Sequence, residues 1–549
     1  MPSVSAHVAT TLAQHVDHVF GLMGNGNAYF LDALERGTSA TYTAVRHEAG
    51  GVVAADAHFR ASGRIAAATA TYGAGFTNTL TALAESVQAH VPLLLVVGDE
   101  PTSGPRPWDV DQIAMASAVG ARTYTVGRAD AAATTVIAIE HALTYRIPAV
   151  LAIPYDVAAL EAGPVPTAPQ PVLPAALQPQ PFARAEIATL ARELATAQRP
   201  FLLAGRGAWL AGASQGLGRL AERIGAVTAS TALGRGVFPD TRYDLGVTGG
   251  FGADGAMALV READVAVVFG ASLNQFTMRF GELFAPGTRV VQVDTAPAAT
   301  HPHVGGFIRA DAAVVAAALV DELDAIDPDP SGWRERIDLA AATAHEPGDE
   351  LAPDGRLDPR SVARRIGELL PHDRVVVSDG GHFIGWANMY WPVASPDRMM
   401  MVGTAFQSIG LGLPSMAGAT AARPESTIVL TTGDGGGLMA LADLETAVRT
   451  AAGRGLAIVW NDGAYGAEVN LYGLKGLSTE PMLIPEVDFA GVATALGGEG
   501  VVVTSLADLD RLGSWAETPA ADRGFLLLDC RISPHVIAPY QQEVIRVNS

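Results

Sequence analysis

Thr427-Ile-Val-Leu-Thr-Thr-Gly-Asp-Gly-Gly-Gly437 and, after a helical stretch, Leu456-Ala-Ile-Val-Trp-Asn-Asp-Gly463 decide how this chain is read. Each begins as an apolar, β-branched run and ends in polar residues and glycine, the pattern of a buried strand leaving a sheet. The stretch Leu438–Ala451 between them reads as the helix of a crossover. A right-handed crossover brings Asp434 and Asn461, 27 residues apart, to the carboxyl edge of one parallel sheet. Open α/β sheets bind their ligands at that edge. A carboxylate, an amide and a nearby backbone carbonyl suit a hard cation such as Mg²⁺, whose octahedron is completed by water or phosphate oxygens. The glycines after Asp434 free backbone N–H groups for a phosphate. Either motif alone reads equally well as a turn capping a strand. Both at this spacing point to a site.

The same alternation of strand and helix fills the chain. Ile65–Ala70 and Pro92–Val97 read as strands in the first part, with a helix Thr77–Ala89 between them. Pro200–Ala204, Val265–Phe269 and Arg289–Val293 follow in the middle, then Arg374–Val377 and Phe525–Leu528. Continuous apolar strands separated by helices mean parallel sheets covered on both faces. Two proline-rich stretches, 163–181 and 329–357, break the alternation and read as linkers. The expected architecture is therefore α/β, with doubly wound parallel-sheet domains over 1–162, 182–328 and 358–549. The first and last echo each other: Gly73-Ala-Gly75 before a strand ending in Gly98-Asp99 resembles Gly410-Leu-Gly412 before a strand ending in Gly433-Asp434. That is the mark of a duplicated unit.

Composition narrows the partners. The chain has 549 residues, 49% of them hydrophobic, which excludes a disordered polypeptide. Fifty-nine glycines and 34 prolines without a Gly-X-Y period exclude a collagen-like one. Thirty-six basic against 57 acidic residues leave a net charge of −21, and Lys475 is the single lysine. A nucleic-acid partner needs a basic stripe, and a polybasic membrane anchor needs the same residues. Neither is expected. The lone cysteine, Cys530, builds no intramolecular disulfide and no cysteine-rich metal site. Neither a secretory leader nor a membrane span is legible, so the expected location is cytoplasmic.

On the Gly-Asp-Gly and Asn461-Asp462 motifs, the chain resembles the thiamine-diphosphate (ThDP) enzymes of the acetohydroxyacid synthase, pyruvate decarboxylase and benzoylformate decarboxylase group. The resemblance spans nearly the whole chain and implies pyrimidine-binding, central and diphosphate-binding domains in that order. It implies Asp434, Asn461 and the carbonyl of Gly463 as Mg²⁺ ligands, with Gly381, His382, Gly435, Gly436 and Tyr465 around the cofactor. Asp462 departs from the family's second asparagine. Glu48, in Arg46-His47-Glu48, is an ordinary dipole-complementing residue at a helix start when read alone. The resemblance instead makes it the glutamate that exchanges a proton with the aminopyrimidine ring. Ile409 matches the apolar residue that wedges the cofactor into a bent shape, though by itself it reads as plain core.

The substrate side is a mosaic. No histidine lies between Pro101 and Gly120, where the decarboxylases carry a pair, and Gln112 there resembles the synthases and is expected to touch substrate. Glu468 resembles a decarboxylase glutamate that handles protons. Asn25 stands where those enzymes carry an aspartate; an amide hydrogen-bonds substrate but does no acid–base work. The resemblance implies acetolactate-synthase-like carboligation or lyase chemistry on a 2-oxo acid through an enamine, with simple decarboxylation or 2-hydroxyacyl-CoA cleavage as alternatives. It also implies a homodimer or homotetramer with sites between chains, and FAD, another nucleotide or nothing in the central domain. Intact Glu48, Asp434 and Asn461 argue against a catalytically silent regulatory subunit. Gly212-Ala-Ser214-Gln-Gly216 fits a nucleophile-elbow string without its strand–turn–helix setting, and Gly205-Arg-Gly207 is a weak nucleotide-loop signal.

Overall fold

The computed structural model describes residues 1–167 and 169–548; Ala168 of the first linker and Ser549 of the C-terminal tail lie outside that description. Its strands form three six-stranded sheets in which every described pairing is parallel. The first holds β1 (His18–Gly21), β2 (Thr41–Ala44), β3 (Ala67–Ala70), β4 (Leu94–Asp99), β5 (Arg122–Thr125) and β6 (Ala149–Pro154). The second holds β7 (Pro200–Ala204), β8 (Val227–Ser230), β9 (Asp244–Val247), β10 (Val265–Phe269), β11 (Arg289–Asp294) and β12 (Gly306–Arg309). The third holds β13 (Arg374–Ser378), β14 (Met399–Met401), β15 (Thr427–Gly433), β16 (Gly455–Asn461), β17 (Glu499–Val503) and β18 (Leu526–Arg531). The inner strands β4, β10, β15 and β16 are buried along their whole length, as strands covered by helices on both faces must be.

The first sheet runs β2-β1-β3-β4-β6-β5 and the third runs β14-β13-β15-β16-β18-β17, the same order twice. The duplication read from sequence is real, but its motif pairing is one βα unit out of step. Gly73 follows β3, whose counterpart β15 is followed by Gly435; Asp99 ends β4, whose counterpart β16 ends in Asn461. Repeated βα units present similar glycine turns, so matching by pattern slips by a whole unit. The central sheet has a different order, β12-β11-β10-β7-β8-β9, that of dinucleotide-binding domains.

The helices after the second strands, Glu48–Ser62 and Gly412–Ala422, pack face to face and join the first domain to the third. Their backbones touch so closely that a Cβ on Gly418 would lie 1.8 Å from the Ala54 carbonyl oxygen, so only glycine fits there. The Asp443 carboxylate accepts the Arg46 N–H at 2.9 Å and fixes the entry to the first of these helices. The tail from Pro534 ends in a helix, Pro539–Asn548, that seats Tyr540 on Phe251 and Phe276 of the central domain. The Tyr540 hydroxyl donates to the His382 carbonyl, which brings the tail to the rim of the third sheet.

Candidate active site

Four neighbouring strands of the third sheet, β14-β13-β15-β16, release their chains at one edge. The order of connection switches between β13 and β15, so a crevice opens there. Asp379-Gly380-Gly381-His382 leave β13, Ile409-Gly410 follow β14, Asp434-Gly435-Gly436 follow β15, and Asn461-Asp462-Gly463 leave β16. The expected third-domain residues are thus gathered at one edge.

Asp434 is 3% exposed; its two oxygens accept the N–H groups of Gly435 and Gly463, each at 2.8 Å. Burial, then the neighbouring Asp462 carboxylate, push its carboxyl up to about 6 despite those donors. The Asn461 amide nitrogen donates to Asp529 at 2.9 Å, and its oxygen receives no hydrogen bond among the described residues. Asp529 therefore aims an acceptor outward. The Gly463 carbonyl accepts from Ile484 at 2.8 Å and keeps a second lone pair, and its φ of +76° is one that glycine adopts without strain. A buried carboxylate held above its usual range, a free amide oxygen and a carbonyl form a donor set that a divalent cation satisfies. No group of three or more His, Cys, Asp or Glu side chains suited to a metal occurs among the described residues. The fit rests on the amide and the backbone.

His382 explains the departure at Asp462. Its Nε2 lies 2.9 Å from Asp462 Oδ2. Burial opposes the imidazolium, but the hydrogen bond and charge of Asp462, with the fields of Asp434 and Glu468, outweigh it and hold His382 above the usual histidine range. A Cβ on Gly466 would meet the His382 ring at 2.4 Å, and one on Gly435 would meet the Tyr465 ring at 2.7 Å. Both glycines are there because aromatic rings close over them. Glu468 is exposed and makes no side-chain hydrogen bond or ion pair among the described residues. Ile409 is half-buried, with Cγ2 3.2 Å from the place a Cβ on Gly380 would occupy.

Sequence reasoning missed the support of this edge. Asp379 is 1% exposed; its carboxylate accepts from the N–H groups of Gly380 (2.8 Å) and Gly410 (3.1 Å) and from the Thr432 hydroxyl (3.1 Å). It ties three of the four loops together, and burial pushes it up to about 6. The signal was an acid just past a strand, in Ser378-Asp379-Gly380, the same clue that picked out Asp434. Asp529 carried no comparable mark, since it lies within β18.

The first-domain residues lie elsewhere. Glu48 starts its helix half-buried, accepting from Asn78 Nδ2 at 3.0 Å, and makes no hydrogen bond or ion pair to the third domain among the described residues. Asn25 is exposed and donates to the Tyr72 hydroxyl at 2.8 Å. Gln112, expected against substrate, is 3% exposed and spends its amide inside the domain. Its oxygen accepts Gly73 N–H at 2.8 Å, and its nitrogen donates to the Gly98 carbonyl and Asp99, both at 3.0 Å. It braces the glycine turn.

The central domain's loop offers phosphate little. Gly205 and Gly207 donate their N–H groups to the carbonyls of Phe269 and Gly270 at 2.9 Å, closing the switch point between β7 and β10. Arg206 reaches into the first domain, to the carbonyls of Ala89 and His90 at 2.6 and 3.1 Å. These glycines serve backbone packing. Ser214 opens the helix Ser214–Ile224 without a strand before it, so the nucleophile-elbow string has no elbow. Two cavities of about 590 and 340 Å³ in this domain are lined by none of the site residues above. Among the described residues no helix is long and apolar enough to cross a membrane.

Comparison with known proteins agrees with this geometry. Residues 2–115 match the model of the N-terminal TPP-binding domain of thiamine pyrophosphate enzymes, 187–320 the central domain, and 379–530 the C-terminal TPP-binding domain. The chain is 27% identical to a sulfoacetaldehyde acetyltransferase of Alcaligenes xylosoxydans xylosoxydans, over 93% of this chain and 89% of that protein. It is also 27% identical to a probable acetolactate synthase large subunit of Methanocaldococcus jannaschii, covering 81% and 78%. An acetolactate synthase of Mycobacterium leprae matches at 27%, covering 88% and 80%.

Proposed function

Because the chain belongs to the thiamine pyrophosphate enzyme family, we propose that it is a ThDP- and Mg²⁺-dependent enzyme that makes or breaks a carbon–carbon bond beside a carbonyl, with acetolactate-synthase-like carboligation or lyase chemistry on a 2-oxo acid. The observation that carries it is the third-domain edge, where Asp434, the Asn461 oxygen and the Gly463 carbonyl form an oxygen set for Mg²⁺ beside glycine N–H groups for a diphosphate. When bound, ThDP supplies the carbanion that substrate carbonyl chemistry needs. The chain's own residues do the rest. Asp434 and Asn461 fix the cation, and Gly381, His382, Gly435, Gly436 and Tyr465 surround the cofactor. Ile409 would pack against it. Glu48 would exchange a proton with the aminopyrimidine ring of the bound cofactor, and Asn25 offers an amide to substrate. Glu468, free of partners among the described residues, supplies a proton to product.

Glu48 makes no hydrogen bond or ion pair to the third domain among the described residues, which supports a site completed by a second copy, Glu48 of one chain facing Asp434 of the other. Exposed apolar side chains beside both edges support the same assembly: Met23 and Trp108 on the first domain, Met439, Leu474 and Leu483 on the third. The enzyme is taken as cytoplasmic, in keeping with its single, buried cysteine.

The test is turnover of a panel of 2-oxo acids with ThDP and Mg²⁺, with and without acceptor carbonyls, following CO₂, aldehyde and condensed product together. Condensed product supports the proposal. Aldehyde alone makes the protein a decarboxylase with Glu468 as proton donor. Turnover of sulfoacetaldehyde, named in one of the relatives, would favour acyl transfer. Silence across the panel would bring 2-hydroxyacyl-CoA cleavage forward.

A further inference from the structure

A buried charge cluster occupies the seam where the three domains meet, and the proposed chemistry uses none of it. Asp56 and Arg60 lie on the helix Glu48–Ser62, and Glu85 lies on the helix Leu80–Gln88 of the same domain. The Arg60 side chain is 6% exposed, those of Asp56 and Glu85 3%. Arg60 Nε donates to Asp56 at 2.5 Å and its Nη2 to Glu85 Oε1 at 3.3 Å, while the Ser86 hydroxyl donates to Asp56 at 2.8 Å. Arg206 of the central domain donates to the carbonyls of Ala89 and His90, at the end of the helix that carries Glu85. Arg60 thus bridges two buried carboxylates. Apolar side chains would often hold such a seam as well or better. The charges must be holding something that apolar groups would not.

What they hold is a third-domain turn, at both ends. Arg60 Nη1 donates to the Met401 carbonyl at 2.9 Å, where β14 ends. The free oxygen of Glu85 accepts the Phe406 N–H at 2.7 Å, three residues before Ile409. Between and beyond them the backbone is strained. Gln407 has φ +59°, a left-handed conformation for a residue with a side chain. Ser408 N–H closes back onto the Gly403 carbonyl at 2.8 Å, and Gly403 has φ +82°. Such a conformation persists only where its surroundings over-determine it. Backbone groups at fixed positions need fixed polar partners, which apolar side chains cannot supply.

We propose that Asp56, Arg60 and Glu85 form a positioning cluster that sets the third-domain segment 402–410, and through it the placement of Ile409 against the cofactor. Glu85 is its most direct member, because its carboxylate joins Arg60 to the Phe406 N–H. The inference rests on the reading of Ile409 given under the proposed function. A seam that merely stabilised the fold would loosen everywhere when damaged, whereas this one loosens at 402–410.

The test is hydrogen–deuterium exchange of the cofactor-free full chain, together with ThDP titration in Mg²⁺ followed by tryptophan fluorescence. Glu85→Ala is expected to speed exchange at 402–410, leave β15 and β16 protected, and weaken ThDP affinity about tenfold. Glu85→Gln keeps an oxygen for the Phe406 N–H and is expected to recover most of both. Glu85→Asp keeps the charge but withdraws the carboxylate by one methylene. It should loosen 402–410 as Ala does, and it carries the test if Glu85→Ala fails to fold. Wild-type exchange at 402–410 in the folded Ala and Asp variants, or in Asp alone, would overturn the proposal. Failure of the wild-type chain to bind ThDP would instead overturn the reading of the site, because the exchange experiment uses no cofactor.

Discussion

The first and third sheets share a strand order, so each loop at one working edge has a counterpart at the other. Asn25 and Gly381-His382 follow the first strands, Glu48 and Ile409 the second, Tyr72 and Asp434 the third, and Asp99 and Asn461 end the last of the four. In the third domain these loops hold a buried acid with two N–H donors, an amide aimed by Asp529, and glycines beneath aromatic rings. In the first domain Asp99 and Gln112 satisfy one another, and among the described residues Glu48 accepts a single hydrogen bond, from Asn78. One fold thus made two edges, one with an oxygen donor set beside glycine N–H groups, the other with a half-buried carboxylate. The topology supplies positions, and a few side chains assign the roles.

The sharpest way to break that comparison is to damage each edge in turn. Asp434→Ala should lose turnover by at least about 10²-fold together with Mg²⁺ and ThDP affinity, measured by calorimetry. Glu48→Gln should lose about 10²- to 10⁴-fold in turnover while ThDP still binds, because only proton transfer is removed. Equal loss of cofactor binding in both variants would erase the division of labour. Mixing the two inactive chains sharpens it further. If each site draws Glu48 from one chain and Asp434 from the other, randomly exchanged dimers should regain about a quarter of wild-type activity. No recovery after verified subunit exchange would mean that both edges of a site come from one chain.

A smaller effect is expected at the seam between the two domains. Gly418→Ala places a methyl against the Ala54 carbonyl and should cost about 1–3 kcal/mol in urea unfolding. Gly37→Ala, with nothing within 4 Å of the added methyl, should change stability by less than about 1 kcal/mol. The smallest concerns pH. Burial raises Asp379 to about 6, so the folded state holds its proton more tightly than the unfolded chain does. Its contribution is fully present below about pH 4 and is lost as pH rises through about 6. In the cofactor-free protein, Asp379→Asn should therefore gain about 2 °C in melting temperature relative to wild type between pH 5 and pH 7. A difference that stays constant or shrinks over that interval would mean that Asp379 is not held above its usual range.

Much of the fold was legible because its signals are local. Strands such as Pro200–Ala204 and Val265–Phe269 are apolar runs bounded by breakers, and they form as read. Others gained a residue at the carboxyl end, as Arg289–Val293 did at Asp294 and Arg374–Val377 at Ser378, because pairing with β12 and β15 continues that far. The predicted helices Thr77–Ala89 and Leu438–Ala451 each broke into two, near Asn78-Thr79 and Ala440-Leu441. At the first break Asn78 turns its amide to Glu48 and the Thr79 hydroxyl bonds back to the Phe76 carbonyl, and at the second the Gly410 turn packs against Met439, so tertiary contacts override a weak helical pattern.

The sequence by itself determined that the chain is three parallel α/β domains and that Asp434, Asn461 and Gly463 share one edge, because strand hydrophobicity and crossover handedness are properties of short segments. Only the tertiary structure decided that Asp462 pairs with His382, that Gln112 braces a turn, that Asp379 ties three loops together, and that Arg60 and Glu85 hold the segment leading to Ile409. Those contacts join residues tens to hundreds of positions apart. Which of them meet depends on how close the backbones come, and at Gly418, Gly435 and Gly466 that is set by the absence of a side chain.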